Sequence, residues 1–244
     1  MNAKKIVCVC DGSLEGIFCA IYRAWHIGTS RTEISIGNTD MELFAEYENV
    51  EADADIAAKV TDTILNKISY EAYEYICYAA MSDEADRGEA IYRFMILGVK
   101  VGKKVLEYMG DKWVCRVVML RKKVWHESHR YMGFLRFEQY DRSLVARFEP
   151  QNDILGMVTD YFCDRLFVEN FVIIDVKRKK AAFHKADSKP VFVYVEDGYI
   201  EALRDRKDEY TDLWNTFFES IMIKERENRN LQRQNMPLIY RKYM

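Results

Sequence analysis

Three stretches of this 244-residue chain carry residue types that could act on a ligand. The first is Asp11-Gly12-Ser13-Leu14-Glu15-Gly16, placed where a short β-type run at 4–10 gives way to a helical pattern over about 15–27. Glycine permits the tight turn, Ser13 can cap the helix, and the amide groups at a helix start favour an anion. With Gly12, Ser13 and Gly16 as a candidate anion-binding loop, Asp11 and Glu15 add two carboxylates usable for metal or acid–base chemistry. Neither the P-loop nor the dinucleotide glycine spacing is met, however. A capped turn with an acid complementing the helix dipole explains the same residues.

The second stretch is the helix over 112–131. Arg121, Trp125 and His129 are spaced four apart and form one stripe. Arg121 falls in phase with Val114, Val117, Val118 and Val124. It should therefore be largely buried, and a buried guanidinium needs a carboxylate, a set of carbonyls or a phosphate. Lys122, His126 and Arg130 make the neighbouring, more exposed stripe. His129 can donate to phosphate, take part in proton transfer, or plug a domain interface. Between Cys115 and Arg147 there are eight bases and three acids, Lys123 and Arg136 among the bases. Residues 1–60 hold ten acids and five bases. A net charge of -3 with one basic segment suits a protein that meets a polyanion on one face; ordinary solvated helix faces would look the same. The third stretch is the tail from Lys224, in which Arg226, Arg229 and Arg233 mix with asparagine, glutamine, Tyr240 and Tyr243. That mixture suits phosphate and base contacts, and equally suits a solvated tail, with Pro237 and the tyrosines suggesting docking.

The elements that must position these residues follow from periodicity. Helical spacing covers 53–68, 70–81, 83–109 as one long helix or two short ones, 112–131 and 154–165. Gly98 and Gly102 are spaced for close helix packing. After Gly133 the texture turns to β at 134–137 and 144–148, around a turn at Asp141. Further β runs lie at 171–175, 181–184 and 191–195, the first two joined by the basic turn Lys177-Arg178-Lys179-Lys180. Tyr210, Leu213, Trp214, Phe217, Phe218 and Ile221 mark an amphipathic helix. The expected fold is α+β. A helical N-terminal part with one or two short strands precedes an antiparallel sheet with packed helices, a C-terminal amphipathic helix and a polar tail. Residues 1–244 read as one compact domain, or as two lobes, 1–131 and 132–244. The six cysteines form no C-x-x-C pair and lie in apolar patterns, so they read as reduced, packed thiols of a cytoplasmic protein. No apolar run reaches membrane-spanning length, and no motif calls for a metal or another cofactor.

Taken together and in this order, the three stretches resemble a bacterial family assigned to DNA metabolism or DNA repair. The N-terminal match is Asp11-Gly12-Ser13 with Glu15-Gly16. The central matches are Val124, Glu127, His129-Arg130 and Gly133-Phe134-Leu135-Arg136-Phe137, then Glu149-Pro150 with Ile154-Leu155. Phe162, Arg165, Phe171-Val172-Ile173 and Asp175 follow. The C-terminal match is Leu213-Trp214, Phe217-Phe218, Ile221, Glu225-Arg226, Asn228, Gln232, Pro237 and Tyr240. Cys10 departs from the tyrosine that such proteins often carry before Asp-Gly-Ser, so no aromatic hydroxyl can act there. The resemblance implies a DNA-repair setting and a radical-SAM protein as partner; some relatives are fused to a uracil-DNA glycosylase domain, whose active-site motif this chain lacks. The expectation is a nucleic-acid-binding or -processing protein in which Arg121, Lys122, Lys123, Arg130, Arg136, Arg226, Arg229 and Arg233 contact DNA. Two alternatives stand beside it. One is an acid–base or metal-dependent enzyme acting on nucleotides through Asp11, Glu15 and His129. The other is a non-catalytic protein–protein adaptor.

Overall fold

The computed structural model describes residues 4–37, 44–140, 143–196 and Tyr240. The chain divides into two compact units, Met1–His126 and Glu127–Met244. The first is built on three short strands, β1 (Lys5–Cys10), β2 (Thr32–Ile36) and β3 (Ala45–Asn49), in the order β2-β1-β3 and all parallel. Parallel neighbours need a crossover, and α1 (Leu14–Ile27) supplies the one between β1 and β2. Helices α2 (Ala54–Lys67), α3 (Tyr70–Ala80) and α4 (Arg87–Val101) follow, then a 3-10 turn at Gly102–Glu107. Phe18, Ile21, Ile64, Ile76, Phe94 and Leu120 pack in the centre of this unit. Gly98 serves close packing: a Cβ there would come within 2.6 Å of the Ile68 side chain. Helix α5 (Lys112–Phe134) begins in this unit and continues past its end.

Polar side chains of α4 stitch it to β2. Glu89 accepts from Ile34 N at 2.8 Å and from Arg93 Nε at 2.6 Å. Arg93 also donates to the carbonyls of Thr29 and Thr32, each at 2.8 Å. The Tyr92 and Thr32 hydroxyls share a bond of 2.7 Å. Burial pushes the Glu89 carboxyl upward, and the bonds from Ile34 and Arg93 work against that shift.

The second unit carries a five-stranded sheet in the order β4 (Glu138–Tyr140), β5 (Ser143–Phe148), β6 (Phe171–Asp175), β7 (Lys180–His184) and β8 (Val191–Tyr194). Helix α6 (Leu155–Arg165) connects β5 to β6 and lies against β6 and β7. Phe137 meets Phe162 of α6 and Phe171 of β6 edge-on, at 4.9 and 5.8 Å.

The class is α+β, as expected, but three details differ. Among the described residues the N-terminal strands number three and form a parallel sheet. The run Ala45-Glu46-Tyr47-Glu48-Asn49 is poor in β-formers; it becomes a strand by pairing with β1, and ion pairs Lys4–Glu46 (3.1 Å) and Arg23–Glu48 (2.6 Å) support it. The larger sheet is antiparallel at three of its pairings and parallel between β5 and β6, because α6 returns the chain to the same end. Residues 134–137 are not a strand. A helical bond from Leu135 N to Tyr131 O, at 2.9 Å, carries α5 through Gly133, since one glycine costs a helix only about 1 kcal/mol. The Asp141 turn, the amphipathic helix at 210–221, Pro237 and the tail with Arg226, Arg229 and Arg233 lie outside the described residues.

Within α6 the Thr159 hydroxyl is fully buried and has no hydrogen-bond partner among the described residues. Thr159→Val keeps the shape and removes the stranded group. It should raise unfolding free energy by about 1–3 kcal/mol, read as a higher urea midpoint with an unchanged slope.

Candidate functional site

The Asp11–Gly16 loop lies between β1 and α1, at the carboxyl end of the central strand. There the sheet's neighbours diverge, β2 to one side and β3 to the other, which is where open parallel sheets commonly bind ligands. Ser13 is the helix cap: its Oγ accepts from Gly16 N at 2.9 Å and donates to Asp11 Oδ1 at 2.7 Å. Asp11 Oδ1 also accepts from Ser13 N at 2.9 Å. Gly12 has φ +82°, and a Cβ on Gly16 would fall 2.1 Å from Asp11 Oδ1, so this loop requires glycine at both places. Asp11 therefore acts first as the acceptor that shapes the loop. Glu15 is exposed in the first helical turn.

Arg87, at the start of α4, holds this loop and was not singled out by its position in the sequence. Its guanidinium donates to the carbonyls of Ala80 (3.1 Å), Glu84 (3.2 Å) and Gly12 (3.4 Å). Close by in sequence, Glu84 and Asp86 capture two cations of α5. Arg116 donates to Asp86 Oδ2 at 2.8 Å and Oδ1 at 2.6 Å, and to Glu84 Oε2 at 2.9 Å. Lys123 bonds the other oxygen of Glu84. Lys123 and Arg116 together hold the Glu84 carboxyl below its ordinary value.

Arg121 is half-buried, its side chain 27% exposed, rather than largely buried as expected. It lies over the rings of Tyr75 and Tyr78 at 5.1 and 5.4 Å, and Glu74 approaches its Nη2 at 3.7 Å. A carboxylate, one of the expected partners, is thus present, and two aromatic faces join it, while a buried Nε is left without a hydrogen bond. Lys122, Arg130 and Arg136 are exposed, as is His129. Asp11 and Glu15 belong to the first unit and His129 to the second. Among the described residues no group of three or more His, Cys, Asp and Glu is placed to hold a metal ion. Cys8, Cys10 and Cys19 are buried, and burial pushes the Cys8 thiol up to about 11, so it stays protonated at neutral pH.

In the second unit, polar groups converge on the β5–α6 connection. Glu127 is 7% exposed, yet its carboxylate accepts from Gln151 N (2.7 Å), Asn152 N (2.9 Å) and the Asn152 side-chain amide. From the opposite side, Arg178 donates to the carbonyls of Pro150 and Gln151 and to Asp175 Oδ2 at 3.1 Å. Lys177 reaches Gln151 O at 3.2 Å, and Lys180 pairs with Asp153 at 3.0 Å. Three of the four bases of the 177–180 tetrad thus close a loop of their own unit. Asp175 is fully buried, and burial raises its pKa against the pull of Arg178. The Tyr131 hydroxyl donates to Glu149 O at 3.3 Å, and burial pushes its pKa well upward.

Residues 85–244 match the family described as a domain of unknown function, DUF4130, and the chain belongs to that family. The Glu127, Asp175 and Arg178 cluster lies inside the matched stretch, and the Asp11–Gly16 loop lies ahead of it. No curated protein matches the chain. Among solved structures it is similar to one titled a pGpG-specific phosphodiesterase, PggH, from Vibrio cholerae. The identity is 10%, the alignment covers 82% of this chain and 96% of that one, and the TM-score is 0.29.

Two measurements check these arrangements. Glu127→Ala strands the backbone N–H and side-chain amide of buried Asn152 and removes the acceptor of Gln151 N–H, so chemical denaturation should show a loss of about 2 kcal/mol or more. The second concerns acid. Because the folded-state pKa of Glu84 is lowered, its stabilising contribution is complete above the ordinary glutamate value and is lost as pH falls through the lowered one. Melting temperatures followed from about pH 6 to about pH 3 should fall less steeply for Glu84→Gln than for the wild type.

Proposed function

We propose that this chain is a cytoplasmic nucleic-acid-contacting protein of DNA metabolism that acts with a radical-SAM partner, and that Lys122, Arg130 and Arg136 are its phosphate contacts. The observation carrying this reading is the positive charge left on the surface once internal pairing is complete. Arg116 and Lys123 are taken by Glu84 and Asp86. Arg147 is taken by Glu138 at 3.0 Å, and Arg121 by Glu74 at 3.7 Å. Lys122, Arg130 and Arg136 make no ion pair with a described carboxylate and are exposed. A lysine or arginine in that state can release counter-ions from a phosphate backbone without first breaking a bond of its own. The resemblance to DNA-metabolism proteins supports the choice of DNA as the polyanion and of a radical-SAM protein as the companion. Arg226, Arg229 and Arg233 of the tail belong to the same proposal.

A second reading, the adaptor, is supported by β8. This strand ends the larger sheet among the described residues, and Val191, Phe192, Val193 and Tyr194 are all exposed. An apolar edge strand of that kind can accept an extended segment of a partner protein.

Fluorescence anisotropy of labelled duplex and single-stranded DNA over a salt series separates the two. Under the first reading, binding is salt-sensitive. Replacing Lys122, Arg130 and Arg136 together with alanine should lower the slope of log affinity against log salt on duplex by about 0.9 for each phosphate that is no longer neutralised. Lys123→Ala should leave the slope nearly unchanged, because that ammonium is already neutralised. Wild-type protein that shows no affinity at low salt, alone or with its partner, would leave the adaptor reading standing.

A further inference from the structure

Tyr240 lies close to the C-terminal end of the sequence, yet it is only 8% exposed. Its ring meets Tyr131 of α5 edge-on, with centroids 4.8 Å apart, and is tilted against Phe134 at 6.2 Å. Tyr131 is itself braced by Phe148 at 4.9 Å and by its hydroxyl bond to Glu149 O. The ring is therefore packed into an aromatic cluster of the second unit. Over its face lies the guanidinium of Arg130, 5.6 Å from the centroid. Arg130 is otherwise an exposed side chain at the end of a long helix. In water such a side chain samples many rotamers, and ordering it on a ligand costs conformational entropy.

We infer that Tyr240 is a positioning residue for Arg130: the docked ring holds the guanidinium in an extended, outward pose, so that a phosphate meets a pre-ordered donor. The inference rests on the proposed phosphate contact by Arg130 and adds what sets its geometry. The tyrosine itself is too buried to stack on a nucleobase. Its contribution to binding passes through the arginine alone.

The test is a double-mutant cycle on DNA affinity, with thermal melts confirming that each variant is folded. Tyr240→Leu keeps an apolar side chain in the site and removes the π-face; Tyr240→Phe keeps the ring. A cation–π contact at an exposed site is worth about 0.5–1 kcal/mol, so Tyr240→Leu should weaken binding about two- to fivefold. It should have no further effect once Arg130→Ala is present, and Tyr240→Phe should bind like the wild type. Equal losses from Tyr240→Leu with and without Arg130 would mark a merely structural role and overturn the inference, as would no loss at all. If Arg130→Ala binds as well as the wild type, the phosphate contact fails, and the inference with it. Wild-type protein that binds no DNA removes both at once. Should the leucine variant not fold, the Arg130 side-chain Nε–Hε resonance of the wild type decides. A ring-shifted signal distinct from those of free arginine side chains supports the pose, and a signal averaged to the free position overturns it.

Discussion

A charge removed from water must find a partner inside the protein, and much of this chain's architecture answers to that constraint. Leaving a buried charge unpaired costs about 3–5 kcal/mol, whereas an exposed pair contributes about 0–1 kcal/mol. Glu89 and Arg93 therefore bind the edge of the parallel sheet to the helix beside it. In the other unit Glu127 fastens the β5–α6 connection from one side, and the Asp175–Arg178 pair fastens it from the other. Each of these groups makes several bonds at once, which ties together segments distant in sequence.

The same constraint governs which charges remain for an outside partner. Counting bases in a segment treats every lysine and arginine as equivalent. The fold sorts them by what lies within reach, and the carboxylates at positions 84 and 86 turn the basic face of α5 into one mixed patch and a few separate cations. A modest, salt-sensitive affinity shared among a few side chains is what such a surface can supply, in contrast to the dense lysine tracts of proteins that coat nucleic acid.

Local signals were legible in the sequence where one residue type had one physical use. The turn from β1 to α1, capped by Ser13, could be read because glycine, serine and acids occupy positions where few other residues fit. Helices α2, α3 and α6 could be read from apolar spacing. The parts that could not be read depend on distant partners. Nothing in Ala45–Asn49 announces a strand until β1 lies beside it. The phase of Arg121 correctly put it on an inward face, but the rings of Tyr75 and Tyr78 that join Glu74 beside it could not be foreseen. Arg87, which bonds a carbonyl in the loop after β1, has no local pattern to mark it. The docking of Tyr240 was suggested by an aromatic residue in a polar tail; the ring it would meet was not.

The limits of the family match carry a further meaning. The matched stretch opens at residue 85, just ahead of α4, although α4 is an inner helix of the first unit. Ile91, Phe94 and Met95 are buried, and Glu89 and Arg93 bond the backbone at Thr29, Thr32 and Ile34, all upstream of the match. The matched stretch therefore does not coincide with a packing unit of this chain: the backbone groups that α4 bonds lie upstream of it. For anyone building a fusion, the sound joint lies before β1; a cut at residue 85 would leave an arginine, a glutamate and a row of large apolar side chains facing water.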